Sequence, residues 1–363
     1  MAHSTHEADG VRGLLVFLGL CGCDPQQLVC GECGPGAIMD GRVYDRGTVF
    51  GTSPTGSPVR AFSDHVQRLG SDLLPSGDPS ASLAPSLTAP QAFEVAVDDT
   101  GAVTELIASE ARAVVVHTDP ALHLAWTVDT AVPMATGVPL AADAELVAGA
   151  SSTTTVYALD ARDGTMLWTM NFAGVSSVAV VDMTTLVAGN SPTAGFITAI
   201  GRDGATLWTA AFTPTGAGGT AGISSVAAGP HGEIAISGVW SGGSAALLGT
   251  TFDPPPTGTI DRMIAMLDPA GTRINWSQRI DMTYATSMVT DGTRVVAAGP
   301  YLSAAAVTAA GLEWMRTSGD EQPMWVEAVA ERGIYATFDL EGAYDYGDVR
   351  GDEAGVAIVR LAP

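Results

Sequence analysis

From Phe93 onward the chain alternates apolar runs of four to eight residues, rich in Val, Ile and Ala, with turns built from Gly, Asp and Pro. No ten-residue stretch keeps apolar positions at the three- and four-residue spacing of a helix, so strands are predicted throughout. Upstream the texture differs. Residues 71–91, SDLLPSGDPSASLAPSLTAPQ, are dense in Ser, Pro and Ala without alternation, the composition of an extended linker. Before it, Arg42–Gly51 (RVYDRGTVFG) carries β-forming residues that could pair as an added strand. Gly13–Gly22 (GLLVFLGLCG) is a continuous apolar run behind Arg12, too short to span a bilayer and similar to the core of a secretory signal.

The strands recur in a fixed order. YALDARDGTMLWTMNF at 157–172 and TAIGRDGATLWTAAF at 198–212 each read as strand, Asp-Gly turn, and strand carrying Trp. Looser copies stand at 264–280 and 307–317, with a degenerate one at 117–128. The repeat tryptophans Trp126, Trp168, Trp208, Trp276 and Trp314 are spaced 42, 40, 68 and 38 residues apart. A period near 40 is that of a four-stranded propeller blade, and the long step contains an insertion at 240–259. Asp163-Gly164, Asp203-Gly204 and Asp291-Gly292 supply the positive φ of tight hairpins, and a Trp beyond the turn can pack between sheets. Small-residue runs at 176–182 and 222–229 suit the crowded inner strands. The expectation is an all-β chain: a single β-propeller over 92–363 of six four-stranded blades, seven being the alternative, after a flexible tether at 23–91. The blades fall at 92–134, 135–174, 175–213, 214–281, 282–318 and 319–363. The last unit stops short of its Trp strand, so a strand within Arg42–Gly51 is expected to complete it.

The apolar-Ala-Leu-Asp-x-x-x-Gly-x-x-x-Trp pattern of 157–168 resembles the pyrroloquinoline-quinone-like β-propeller repeat. Residues 235–280 and 334–363 are similar to the SBBP repeats of bacterial exported propellers. The resemblance covers residues 92–363 and implies the fold, not the activity. Quinone-dependent members stack their cofactor on a vicinal disulfide beside a calcium site; no Cys follows Cys33, so no quinone is expected.

The apolar segment ends in Leu20-Cys21-Gly22-Cys23, which resembles a bacterial lipobox and makes residues 1–22 a signal peptide with Cys23 as the lipidated residue. Glu7 and Asp9 depart from the positive charge a signal needs, and a start near Val11 would remove them. Export then favours a local disulfide between Cys30 and Cys33 (CGEC), in a Gly- and Pro-containing tether rather than the strand-to-helix setting of a redox pair. The six His show no paired metal spacing, and His117 and His231 read as surface residues at strand ends or turns.

Charge and composition then narrow the function. The 363 residues carry 16 basic groups, all Arg, against 39 acidic ones, a net charge of −23 that argues against nucleic acid or an anionic bilayer as partner. Gly-x-Ser-x-Gly is absent, and no His sits in a triad context. Asp339, Glu341, Asp345, Asp348, Asp352 and Glu353 crowd one segment, of which Asp345, Asp348 and Asp352 are weak calcium candidates and a solvated acidic loop the plainer reading. In the insertion, Trp240, Phe252 and Pro254-Pro255-Pro256 have a composition suited to protein recognition, against the alternative of a hairpin packed on its own blade. The expected function is a non-catalytic, lipid-anchored propeller of the cell envelope, a scaffold or binding module for an envelope protein or a glycan. The rival reading is an exported hydrolase or lyase with carboxylates at one mouth of the ring.

Overall fold

A computed structural model describes residues 38–44, 49–52, 58–62, 64–70, 73–80, 91–109, 112–130, 139–216, 218–256, 258–281, 285, 287–299, 303–316, 324–330, 333–340, 344–346, 349–351 and 355–361. Cys23, Cys30 and Cys33 lie outside the described residues. So do Asp348 and Asp352, and the side chain of Asp345.

The alternation becomes strands throughout. Four open the chain: β1 (Ile38–Tyr44), β2 (Val49–Thr52), β3 (Pro58–Ala61) and β4 (Val66–Arg68). The first blade is β5 (Gln91–Val97), β6 (Val103–Ser109), β7 (Arg112–Thr118) and β8 (Leu124–Asp129); the second is β9 (Leu140–Ala142), β10 (Leu146–Ala150), β11 (Thr155–Asp160) and β12 (Met166–Asn171). The third is β13 (Val175–Val181), β14 (Thr184–Asn190), β15 (Gly195–Ile200) and β16 (Thr206–Pro214). The fourth is β17 (Thr220–Ala228), β18 (Ile234–Ser241), β21 (Ile260–Leu267) and β22 (Ile274–Arg279), interrupted by the hairpin β19 (Ala245–Leu247) and β20 (Thr250–Phe252). The fifth is β23 (Ser287–Thr290), β24 (Arg294–Gly299), β25 (Ser303–Thr308) and β26 (Gly311–Arg316). The sixth runs β27 (Met324–Ala330), β28 (Gly333–Leu340) and β31 (Gly355–Leu361), and carries the small hairpin β29 (Tyr344–Tyr346) and β30 (Val349–Gly351).

Six four-stranded blades in a ring are thus observed, and the sixth borrows its outer strand from the far end of the chain. That strand is β1, antiparallel to β31 with Tyr44 opposite Val356 and Arg42 opposite Ile358. The expected segment, Arg42–Gly51, is therefore divided. Its first residues complete blade six, while Val49–Gly51 belong to β2, in a separate three-stranded sheet with β3 and β4. This sheet stands between the last blade and the first, because β2 touches both β27 and β5. Among the described residues the place of a seventh blade is taken by three strands, and seven inner strands surround the axis. Gly51 makes the fit possible: a Cβ there would come within 2.8 Å of Val95 Cγ1.

The tether expected at 23–91 is shorter than its composition suggested. Val59, Ala61, Val66, Leu69 and Leu73 are all buried, so the described residues of 49–73 contribute core within the expected tether. Arg68 fastens β4 to the first blade, its Nη2 donating to the carbonyls of Gly101 (2.6 Å) and Pro120 (2.8 Å).

One backbone device repeats in every blade. The outer strand carries a one-residue bulge directly before Trp126, Trp168, Trp208, Trp276 and Trp314, and β1 bulges at the equivalent place, between Ile38 and Asp40. The bulges increase twist, and the tryptophans behind them reach toward the next blade. A Cβ on Gly164 would fall 2.9 Å from the Trp126 ring, and one on Gly271 2.3 Å from Trp208, so the Asp-Gly or Ala-Gly turn of one blade is shaped by the Trp of its neighbour. Trp126 Nε1 also donates to the Ala161 carbonyl at 2.7 Å. Turn and tryptophan recur together because each couples two blades.

Candidate functional site: the acidic mouth of the ring

The inner strands define the axial channel. Ser176, Ser177, Ser225, Ser287, Thr290 and Thr52 face a cavity of about 400 Å³ walled mostly by Val and Ala, and Glu94 is its one charged residue among the described lining. Several of these hydroxyls are spent on joining blades: Ser176 Oγ donates to the Ile223 carbonyl at 2.8 Å, and Ser287 Oγ accepts from the Val326 amide at 2.7 Å. With one carboxylate, the described lining of the channel does not contain the pair that glycoside chemistry needs.

The mouth above it is different. In a four-stranded antiparallel blade the turn between the first two strands and the turn between the last two leave at the same end. Five blades place their first turns around a cavity of about 670 Å³, whose described lining includes Asp98, Asp99, Asp143, Glu145, Asp182 and Asp291 and no Arg or His. The reason is local. Asp at a tight turn accepts amides two to four residues on, so a repeat that reuses the turn reuses the carboxylate. Asp98 Oδ1 takes the Ala102 amide (2.9 Å), and Asp143 Oδ1 those of Glu145 (2.9 Å) and Leu146 (2.7 Å). Asp143 Oδ2 reaches across to the Met183 amide of the next blade at 3.2 Å. Asp291 accepts from Thr293 and Arg294; burial disfavours its charge, but these amides outweigh burial and lower its pKa.

The same end carries the second set of turns. Asp119 and Asp163 sit below the usual carboxylate range, held there first by the backbone amides of His123 and Thr165 respectively. Arg162 pairs with Glu145 at 3.2 Å, and Arg202 with Asp160. Even with these pairs the described residues of the mouth keep a surplus of negative charge, with Asp99 exposed at its turn tip.

Other sequence candidates land elsewhere. Trp240 and Phe252 are not a contact surface: Trp240 is 1% exposed and Phe252 7%. Both rings close on Phe212, edge-on, at 6.0 and 5.8 Å. The insertion folded back because β19 pairs with the outer strand of the preceding blade, Thr213 opposite Ala246, making a six-stranded sheet. Trp240 Nε1 donates to the Asp253 carbonyl at 3.2 Å and Arg279 stacks 5.2 Å over the indole, so the aromatic group is fully housed. Pro255 is buried with them, while Pro254 and Pro256 are exposed.

His117 also differs from its surface reading. It is buried, stacked on Trp126 at 4.9 Å and bonded through Nδ1 to Thr104 Oγ1 at 2.9 Å; burial lowers its pKa, keeping the ring neutral. The acidic mouth was hidden in the sequence because its residues are spread from position 98 to 291; only their shared place in each repeat, the first turn, could have flagged them.

No family model and no curated protein sequence matches the chain. Solved structures do. The chain is similar to BamB from Moraxella catarrhalis, at 14% identity and a TM-score of 0.51, over 90% of this chain and 99% of that one. It is similar to the WD40 repeats of RRP9, at 11% identity and a TM-score of 0.57, with coverage of 90% and 99%. A chain of the Mitotic Checkpoint Complex aligns at 13% identity and a TM-score of 0.56, over 93% of this chain and 95% of that one. At these identities the likeness establishes the propeller fold.

Proposed function

We propose that this propeller is a non-catalytic binding module of the cell envelope, and that it grips a basic segment of a protein partner at the acidic mouth of the ring. The observation that carries the reading is the 670 Å³ cavity whose described lining has six carboxylates from four blades and no cation. Propellers present loops from many blades to one ligand, and one of the similar solved structures is a chain of the Mitotic Checkpoint Complex. Those carboxylates are mostly engaged by turn amides, which fixes their charges in space and leaves them poorly suited to general acid or base work. A rigid negative rim selects charge and orientation.

The envelope address rests on the lipobox-like Leu20–Cys23 and the proposed lipid on Cys23. Since the ring begins at Ile38, 15 residues on, the anchor and the outer edge of blade six are separated by at most about 50 Å of extended chain. The propeller would then be held close to the membrane, not on a long leash.

The test uses the purified full chain immobilised beside an Asp99→Asn, Glu145→Gln, Asp182→Asn variant. Asn is chosen at Asp182 because that residue has φ +47°, which Asn tolerates. Envelope extract is passed over both, with a Lys/Arg-rich peptide and an acidic peptide as controls. Retention of basic proteins by the native chain, lost in the variant and at about 0.5 M salt, supports the reading. Equal retention by both rejects the mouth as the contact. Release of cleaved carbohydrate would favour the hydrolase reading, and bound, uncleaved glycan a lectin-like one.

A further inference from the structure

Glu105 lies on β6 in the seam between the first blade and the three-stranded sheet β2–β4. It is 1% exposed, and neither carboxylate oxygen has a hydrogen-bond partner. Its register neighbours are Val95 on β5 and Val116 on β7, and the seam is otherwise filled by Val59, Ala61, Val66, Val97, Val103, Ile107 and Val114. An ionised carboxylate in such surroundings costs several kcal/mol; a neutral acid costs far less. The charged groups around it do not neutralise it. Asp64, at the β3–β4 turn, adds repulsion, and His65 is bonded to Asp64 at 2.7 Å. Arg68 is committed to the Gly101 and Pro120 carbonyls, while Arg60 holds Gln67. His117 pairs with Thr104, whose side chain takes the other face of β6.

We propose that Glu105 is a proton-controlled latch, seating the N-terminal three-stranded sheet against the first blade when neutral and loosening that sheet when ionised. Burial, with Asp64 second, raises the Glu105 pKa well above the ordinary glutamate value. The sign follows: the docked state binds a proton that the undocked state releases, so docking is strongest below the ordinary pKa and weakens as pH rises toward the docked value. The sheet is the element to yield because its described contacts with the first blade are side-chain packing and the two Arg68 bonds, whereas blades one and two are joined through buried Trp126 and its bond to Ala161, and blades three and four through Ser176.

Hydrogen exchange of the full chain between pH 5 and pH 8, corrected for intrinsic rates, tests this. Amides of 58–68 should open progressively with pH, by up to roughly tenfold per unit inside the window, while those of 234–241 hold steady. Glu105→Gln should flatten the dependence, and Asp64→Asn should reduce it. A flat profile for 58–68 in the native chain overturns the proposal. So does an equal rise in Glu105→Gln. If that variant does not fold, the native profile and Asp64→Asn decide: no selective opening, or no change with Asp64→Asn, counts against the latch.

Discussion

The hairpin β19–β20 and the sheet β2–β4 are both additions to a repeating blade, and they are held in opposite ways. The hairpin inserts within blade four, continues an existing sheet, and seals its gap with three mutually packed aromatic rings. The N-terminal sheet comes from a remote part of the chain, continues no sheet, and meets the ring through an apolar seam with an unpaired acid at its centre. An addition that extends hydrogen bonding inherits the stability of its host. One that only packs depends on side chains, and those can include a weak point.

Substitutions can break this contrast, beginning with the largest expected effect. Trp240→Ala empties the centre of the aromatic cluster and should lower global stability by about 3–5 kcal/mol, read as a fall in Tm; a change under about 1 kcal/mol would mean the hairpin is not core. Arg68→Ala, on the other side of the comparison, removes two charge-assisted bonds to carbonyls and should cost about 1–2 kcal/mol, confined to exchange protection of 66–68 with Tm nearly fixed. A matching fall in Tm would show that sheet and ring unfold together.

Trp126→Phe strands the Ala161 carbonyl and should cost about 1 kcal/mol by denaturant titration, testing whether Trp126 joins blades one and two through the indole N–H as well as the ring. On acidification the turn carboxylates behave opposite to Glu105. Asp291 and Asp268 have lowered pKa values because, against the opposing pull of burial, turn amides and hydroxyls favour the charged form. The stability they lend is present above the ordinary Asp value and lost as pH falls through the lowered one, so unfolding monitored below about pH 4 should be blunted in Asp291→Asn. Smallest of all, Pro254→Ala with Pro256→Ala should shift stability by less than about 0.5 kcal/mol, since both are exposed beside a cluster they do not build.

Much of the architecture was legible in advance. The Trp period near 40 and the Asp-Gly turns located five blades, and the missing outer strand of the sixth was evident from where the repeat stopped. Misplacing that strand's boundary came from reading β-forming residues at 42–51 as one element, when they divide between two sheets. Reading Trp240 and Phe252 as a recognition surface failed for a related reason. Composition reports that a segment is apolar, but burial depends on what it meets, here Phe212 from the blade before. Apart from their shared place in each repeat, nothing marked the acidic mouth, because its carboxylates are ordinary turn residues one at a time and a charged cavity only together.

Sequence by itself determined the local terms: strands from alternation, hairpins from Asp-Gly, a ring from a period that no blade can satisfy alone, since each must bury its faces on a neighbour. Tertiary structure decided which ends of the chain meet. The closing strand β1, the three-stranded sheet between blades six and one, and the partnerless position of Glu105 all arise from contacts between residues far apart in the chain, whose free energy belongs to the pair and is written in neither segment separately.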